Sequence, residues 1–72
     1  MKKTYPIDVD CANCALLMEM TAAKVEGVES VIVNYMIQKM IINFQPGLKP
    51  DDVMPKVVKA CRKAVPDGTI DY

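Results

Sequence analysis

The chain has 72 residues, about half of them apolar, and this length allows one small domain with a modest core, taken as residues 1–72. Nine basic and nine acidic side chains cancel, so the overall charge favours no nucleic acid, anionic membrane or acidic substrate. No apolar run approaches the roughly 20 residues that cross a bilayer, and no apolar signal-peptide segment follows the basic start. We expect a cytoplasmic domain without direct membrane contact and without a nucleic-acid partner.

The first half of the chain has the pattern of a strand followed by a helix. Residues 4–9 alternate between apolar and polar side chains, which predicts a half-buried strand. From residue 13 to residue 26 apolar side chains recur at helical spacing, and Gly27 follows as a helix stop. The predicted inward-facing residues are Tyr5, Ile7 and Val9 in the strand and Ala15, Met18, Ala22 and Val25 in the helix.

The second half begins with a predicted hairpin. Residues 28–35 and 38–44 are rich in β-branched and aromatic side chains and are separated by a short connection. A proline and two aspartates at residues 50–52 predict the start of a second helix. Residues 69–72 are long enough for a short edge strand. The predicted apolar face of the second helix consists of Val53, Val57, Ala60 and Ala64.

The predicted order of elements is β-α-β-β-α-β. This order is that of the ferredoxin-like α+β fold, in which four antiparallel strands form one sheet and both helices pack on one face. Such a fold carries many unrelated functions, so the function must come from a site.

Cys11 and Cys14 lie where the first predicted strand gives way to the first predicted helix. An odd total of three cysteines, with two so close together, does not suit a disulfide framework and indicates a metal-binding or redox site. The chain has no histidine, which excludes catalysis by a Cys-His or Ser-His pair. Backbone N–H groups at a helix start stabilise thiolates, and paired thiolates suit monovalent copper, zinc or cadmium. We therefore interpret the pair as ligands of a soft metal ion.

The pair would leave its ion incompletely coordinated, because two thiolates are too few to close a tetrahedral site. An ion held this way in an exposed loop is easily passed to other thiols. The expected mechanism is thiolate exchange, in which an incoming site replaces Cys11 and Cys14 one ligand at a time, without covalent catalysis.

Two other functional classes share parts of this pattern. A Cys-x-x-Cys before a helix also occurs in thiol-disulfide redox proteins, but that fold needs a longer chain with a parallel βαβ unit. The same β-α-β-β-α-β order occurs in RNA-recognition domains, which need a basic face and aromatic side chains on the central strands. This chain is neutral and has only four aromatic side chains, one phenylalanine and three tyrosines, which disfavours RNA binding.

The sequence resembles the heavy-metal-associated domain along nearly its whole length. The resemblance rests on Asp-Cys-Ala-Asn-Cys-Ala at residues 10–15, Val-Glu-Gly-Val at residues 25–28 and Val-Ile-Val-Asn-Tyr at residues 31–35. Such domains occur as soluble copper chaperones and as amino-terminal extensions of metal-transporting P-type ATPases. The resemblance implies a non-enzymatic metal-binding module whose ligands are Cys11 and Cys14, in the cytosol, with a metal-transporting ATPase or its own membrane domain as partner.

Asp10 bears on the choice of metal. Copper-handling members usually have threonine or serine there, whereas Asp-Cys-x-x-Cys resembles the zinc, cadmium and lead exporters. A carboxylate oxygen suits Zn(II), Cd(II) or Pb(II) better than Cu(I), so Asp10 is a candidate third ligand. The alternative for Asp10 is a helix-capping side chain, and the alternative for the chain is a free-standing copper chaperone. A monomer is expected, with a metal-bridged dimer as the alternative.

Four further residues have both a functional and a structural interpretation. Cys61 could be an extra ligand, but a small buried core residue is the simpler interpretation. The neighbouring Leu16 and Leu17 could form an exposed docking surface, although single exposed leucines are common. Asp8 adds a carboxylate near the site, but strand alternation places it away from Val9 and in solvent.

Overall fold

Four strands and two helices alternate along residues 2–72, the part of the chain that the computed structural model describes. Their order is the predicted one, β-α-β-β-α-β, and all four predicted strands and both predicted helices are present. The elements are β1 (Lys2–Asp8), α1 (Ala12–Ala23), β2 (Val28–Asn34), β3 (Lys39–Phe44), α2 (Pro50–Ala64) and β4 (Thr69–Ile70).

The strands form one antiparallel sheet in the order β2-β3-β1-β4, which confirms the ferredoxin-like α+β fold. β1 pairs with β3 over residues 2–6, and its last two residues, Ile7 and Asp8, pair with β4. The end of β1 is thus held between neighbouring chain segments just before the two cysteines. This arrangement fixes where the chain leaves the sheet to enter α1.

The first helix ends three residues earlier than the sequence predicts. The Lys24 N–H donates to the Thr21 carbonyl at 3.2 Å and the Val25 N–H donates to the Ala22 carbonyl at 3.1 Å, so tight three-residue turns replace the α-helical pattern after Ala23. Gly27 follows with a φ of +99°, a left-handed conformation that glycine adopts easily. Val25, predicted on the helix face, is therefore half-buried beyond the helix end.

The core fills the space between the sheet and the two helices. Most of the inward residues predicted for the first strand and helix are confirmed, and only Tyr5 and Val25 are half-buried instead. The buried ones are Ile7, Val9, Ala15, Met18 and Ala22. The predicted face of α2 is partly wrong, because Ala60 is half-buried and Ala64, the last helical residue, is exposed. The four-residue spacing of helical neighbours brings other side chains inward instead. The buried residues of α2 are Val53, Met54, Val57 and Cys61.

A side-chain contact also ties α1 to the edge of the sheet. β2 is an outer strand, and its Val33 N–H donates to Glu19 Oε2 on α1 at 2.8 Å. The contact satisfies a backbone group that an edge strand would otherwise leave open. In residues 2–72, neither helix combines the length and the apolar character needed to cross a membrane.

Candidate metal centre

The segment between β1 and α1, residues 9–11, is here called the metal loop, and its backbone is held by the turn between β2 and β3. The Val9 N–H donates to Gln38 Oε1 at 2.8 Å, and the Tyr35 hydroxyl donates to the Asp10 carbonyl at 3.2 Å. Gln38 is itself fixed, because its Nε2 donates to the Tyr35 carbonyl at 2.7 Å and its own carbonyl accepts from the Ile7 N–H at 2.9 Å. Two side chains of the turn therefore position the loop through main-chain atoms.

We expect Gln38→Ala to loosen the metal loop without unfolding the domain. Gln38 has a φ of +54°, and alanine in the same conformation keeps that backbone strain, so the change mainly removes the two side-chain hydrogen bonds. The loss of the bond to the Val9 N–H costs about 1 kcal/mol. Hydrogen exchange at the Val9 amide should then be faster by about fivefold. Met36→Ala, at an exposed side chain of the same turn, is the control. Unchanged exchange in Gln38→Ala would contradict this role.

The two thiols lie at the exposed start of α1. Cys11 is the N-cap residue, with extended backbone, and its carbonyl accepts the Ala15 N–H at 3.0 Å to begin the helix. Cys14 follows in the first turn and is half-buried, and both cysteines are free thiols. Extended backbone at Cys11 and helical backbone at Cys14 bring the two sulfurs to the same end of the helix.

The surroundings of the two sulfurs shift their pKa values in opposite directions. The pKa of Cys11 is lowered because the Cys14 N–H, the Cys14 thiol and the Asn13 N–H all favour the Cys11 thiolate. The pKa of Cys14 is raised, first because its thiol donates to Cys11, then by partial burial and by the charges of Cys11, Asp67 and Asp10. Cys11 is therefore the first thiol to ionise.

This order predicts the order of alkylation by iodoacetamide. Since the thiolate is the nucleophile, Cys11 should react faster than Cys14 near neutral pH. The rates should converge as the pH rises above the pKa of both groups. Cys61 should react last, because burial raises its pKa to about 11 and covers its sulfur. Peptide mapping by mass spectrometry measures the three rates. In urea the chain unfolds and the three thiols lose their different surroundings, so their alkylation rates should become similar. An unchanged order of rates in urea would contradict the claim that the folded structure sets this order.

An open depression of about 360 Å³ adjoins the two cysteines. Asp10 lies at its rim, outside the N-cap position that Cys11 occupies, so the capping interpretation of Asp10 is wrong. Within residues 2–72, no three cysteine or carboxylate side chains are gathered closely enough to hold a metal ion. The pair of thiols is the donor set already assembled, and ligation by Asp10 remains a prediction. The depression is lined by Val9, Asp10, Cys11, Cys14, Val65, Asp67 and Gly68.

The lining of this depression does not include Cys61, Leu16, Leu17 or Asp8. Cys61 is only 2% exposed, and its thiol donates to the Met18 carbonyl at 3.6 Å, which confirms the core interpretation. Leu16 and Leu17 are 53% and 47% exposed, so both side chains are available on the surface of α1, and docking through them remains a prediction. Asp8 is exposed, as strand alternation predicts.

Sequence reasoning did not identify three residues of this centre. Gln38 and Tyr35 carry no metal-binding signal, because they act on backbone atoms from a hairpin turn that is more than twenty residues away in sequence. Asp67 stands in a turn between α2 and β4, where aspartate is common for conformational reasons alone. The predicted order of elements does place the turn before β4 near the end of β1. This placement was the only signal in the sequence that Asp67 lies near the two cysteines.

Comparisons with known proteins agree on the fold. No protein-family model and no curated protein matches the sequence. A structure described as the CopZ metallochaperone has a TM-score of 0.75 at 13% identity, with 97% of this chain and 98% of that chain covered. The N-terminal domain of a potential copper-translocating P-type ATPase from Bacillus subtilis, in its Cu(I)-loaded state, has a TM-score of 0.74 at 23% identity, with 99% and 84% covered. The N-terminal domain of PacS from Synechocystis PCC6803 has a TM-score of 0.71 at 21% identity, with 97% and 92% covered. These structures share the fold of this chain, which agrees with the fold that the sequence predicts.

Proposed function

We propose that this chain binds one soft metal ion through the thiolates of Cys11 and Cys14 and passes it to the thiols of another protein. The observation that carries the proposal is the placement of two free thiols at the start of α1, where both line one open depression. One thiol is easily ionised, and the metal displaces the proton of the other. The chain is a binding module and catalyses no covalent reaction.

Transfer follows from the exposure of Cys11. An incoming thiolate forms a bond to the ion while the bond between the ion and Cys11 breaks, and the same exchange at Cys14 completes the transfer. The ion keeps its oxidation state, and the released thiolates take up protons according to their pKa values. The open depression leaves space for the incoming ligand.

The proposed partner is a metal-transporting P-type ATPase, or the membrane part of such a protein if this domain belongs to one. Two of the similar structures support this assignment. One is the N-terminal domain of a potential copper-translocating P-type ATPase from Bacillus subtilis, and the other is the N-terminal domain of PacS from Synechocystis PCC6803. The site would work in the cytoplasm, where thiols stay reduced. The working form is a monomer, and an ion shared between two copies is the alternative outcome of a sizing experiment.

The proposed cargo is a divalent soft ion, Zn(II), Cd(II) or Pb(II), in preference to Cu(I). Asp10 supports this choice, because its carboxylate lines the depression beside both thiols and its charge acts on Cys14. A hard, anionic oxygen interacts more favourably with a divalent ion than with monovalent copper. The Asp10 side chain is exposed and free to turn toward a bound ion as a third ligand.

Cu(I) is the second candidate. Only two thiols are gathered in residues 2–72, without a third ligand in place, and such a low number of thiolates suits monovalent copper. The similar Bacillus subtilis domain is described in a Cu(I)-loaded state. The thiol pair therefore suits a divalent soft ion and Cu(I) alike, and the Asp10 carboxylate is the feature that favours the divalent ion.

Metal titration against a competing chelator tests the cargo. The wild-type chain should bind one Zn(II) or, without oxygen, one Cu(I). Asp10→Ala should weaken Zn(II) binding by at least about tenfold and leave Cu(I) binding nearly unchanged, because it removes an oxygen donor that copper does not use. Asp8→Ala removes an exposed carboxylate outside the depression and should change neither affinity. Equal losses for both ions in Asp10→Ala would contradict the divalent assignment.

A further inference from the structure

The turn between α2 and β4 is packed against the metal loop, and Gly68 allows this close approach. A Cβ atom on Gly68 would lie 2.9 Å from Val9 Cγ1 and 3.1 Å from Met18 Sδ, closer than side chains normally pack. The Gly68 N–H also donates to the Val65 carbonyl at 3.0 Å, which closes the turn. The residue before Gly68 is Asp67, and the fixed turn therefore holds Asp67 at the edge of the metal centre.

Asp67 shares the depression with the two thiols although it lies more than fifty residues away from them in sequence. Its side chain is exposed. Asp10 and Asp67 are the two charged side chains that line this depression, and both are acidic. An ion held by Cys11 and Cys14 would thus meet negative charge from Asp10 in the metal loop and from Asp67 in the turn between α2 and β4.

We propose that Asp67 is a specificity-determining residue, whose carboxylate favours a divalent over a monovalent ion at the thiol pair through its charge and without ligating the ion. The inference rests on the proposed function of Cys11 and Cys14. Either ion displaces the same thiol protons, so the two complexes differ at the sulfurs by one positive charge. The Asp67 carboxylate attracts the extra positive charge of the divalent ion. It therefore raises the affinity for the divalent ion relative to the affinity for the monovalent ion.

The test is the ratio of the Cd(II) and Cu(I) dissociation constants, measured by chelator competition without oxygen. Asp67→Gln should shift the ratio toward Cu(I) by on the order of threefold to tenfold, the effect of one charge several ångströms away near a protein surface. Glutamine also avoids an Asn-Gly sequence, which deamidates. Asp67→Glu keeps the charge and should preserve the ratio. Glu29→Gln removes an exposed carboxylate from β2, outside the depression, and should also preserve it.

Raising the salt concentration should reduce the shift, because the groups are exposed and their interaction is screened. A wild-type chain that binds neither ion would overturn the proposed function and this inference with it. A wild-type chain that binds both ions, with an unchanged ratio in Asp67→Gln, would overturn the inference alone. An equal shift in Glu29→Gln would also overturn it, since total charge would then explain the result.

Discussion

Replacing Cys11 and Cys14 together with serine should abolish stoichiometric binding of Zn(II), Cd(II) and Cu(I) while the domain stays folded. Serine hydroxyls remain protonated at neutral pH and are poor ligands for soft ions, so the donor set is lost. Cys11 is exposed and Cys14 is half-buried, and neither belongs to the fully buried core, so the fold does not depend on them. Titration followed by thiolate-to-metal absorption measures binding, and circular dichroism measures the fold.

Cys61→Ala is the matched control for this experiment. It also removes a thiol, but that thiol lies in the core and donates to the Met18 carbonyl, away from the depression. This variant should lose some stability and keep full metal binding. Retained affinity in the double serine variant would rule out Cys11 and Cys14 as the ligands, and lost binding in a folded Cys61→Ala chain would place the site elsewhere.

Gly27→Ala should destabilise the domain by about 3 kcal/mol, a large fraction of the stability of a small domain. A left-handed φ of +99° costs alanine about 1 kcal/mol. Its Cβ would also lie 2.8 Å from Val53 Cγ2 and 3.1 Å from Leu48 Cδ1. Val53 is buried in α2 and its branched side chain is stiff, so relieving this overlap disturbs packed surroundings.

Gly47→Ala separates the two causes. Gly47 has a similar φ of +85°, but a Cβ there would meet nothing within 4 Å. We expect this variant to lose only about 1 kcal/mol, the cost of the backbone conformation. Urea denaturation of both variants gives the free energies of unfolding. Equal losses would show that the contact between Gly27 and Val53 relaxes freely and would contradict the expected steric cost.

Much of the fold could be predicted because apolar residues recur with the two-residue period of a strand in some segments and with the helical period in others. The alternation that buries Ile7 and Val9 and the helical spacing of Met18 and Ala22 each reflect a single buried face, which sequence patterns report directly. The two thiols were equally predictable, because their positions follow from local sequence. The end of α1 was harder to predict, because the same apolar spacing continues to Val25 after the helical hydrogen bonds have ended.

The remaining features depend on contacts between distant segments. The buried face of α2 includes Met54 and Cys61 because of where the helix lies on the sheet, which the helical pattern alone leaves open. Gln38 matters because its left-handed backbone turns its amide toward Val9, and glutamine has no special preference for that conformation. Asp67 matters through its position across the depression. None of these residues has a signal in its immediate neighbours.

The way the hairpin turn holds the metal loop has a consequence for protein engineering. The turn bonds to the Val9 N–H and the Asp10 carbonyl, which every non-proline residue at these positions would supply. The side chains of Asp10, Ala12 and Asn13 are exposed and take no part in those bonds. Libraries at these three positions could therefore retune the preferred ion while the scaffold keeps its stability, which makes this small domain a suitable starting point for selective metal sensors.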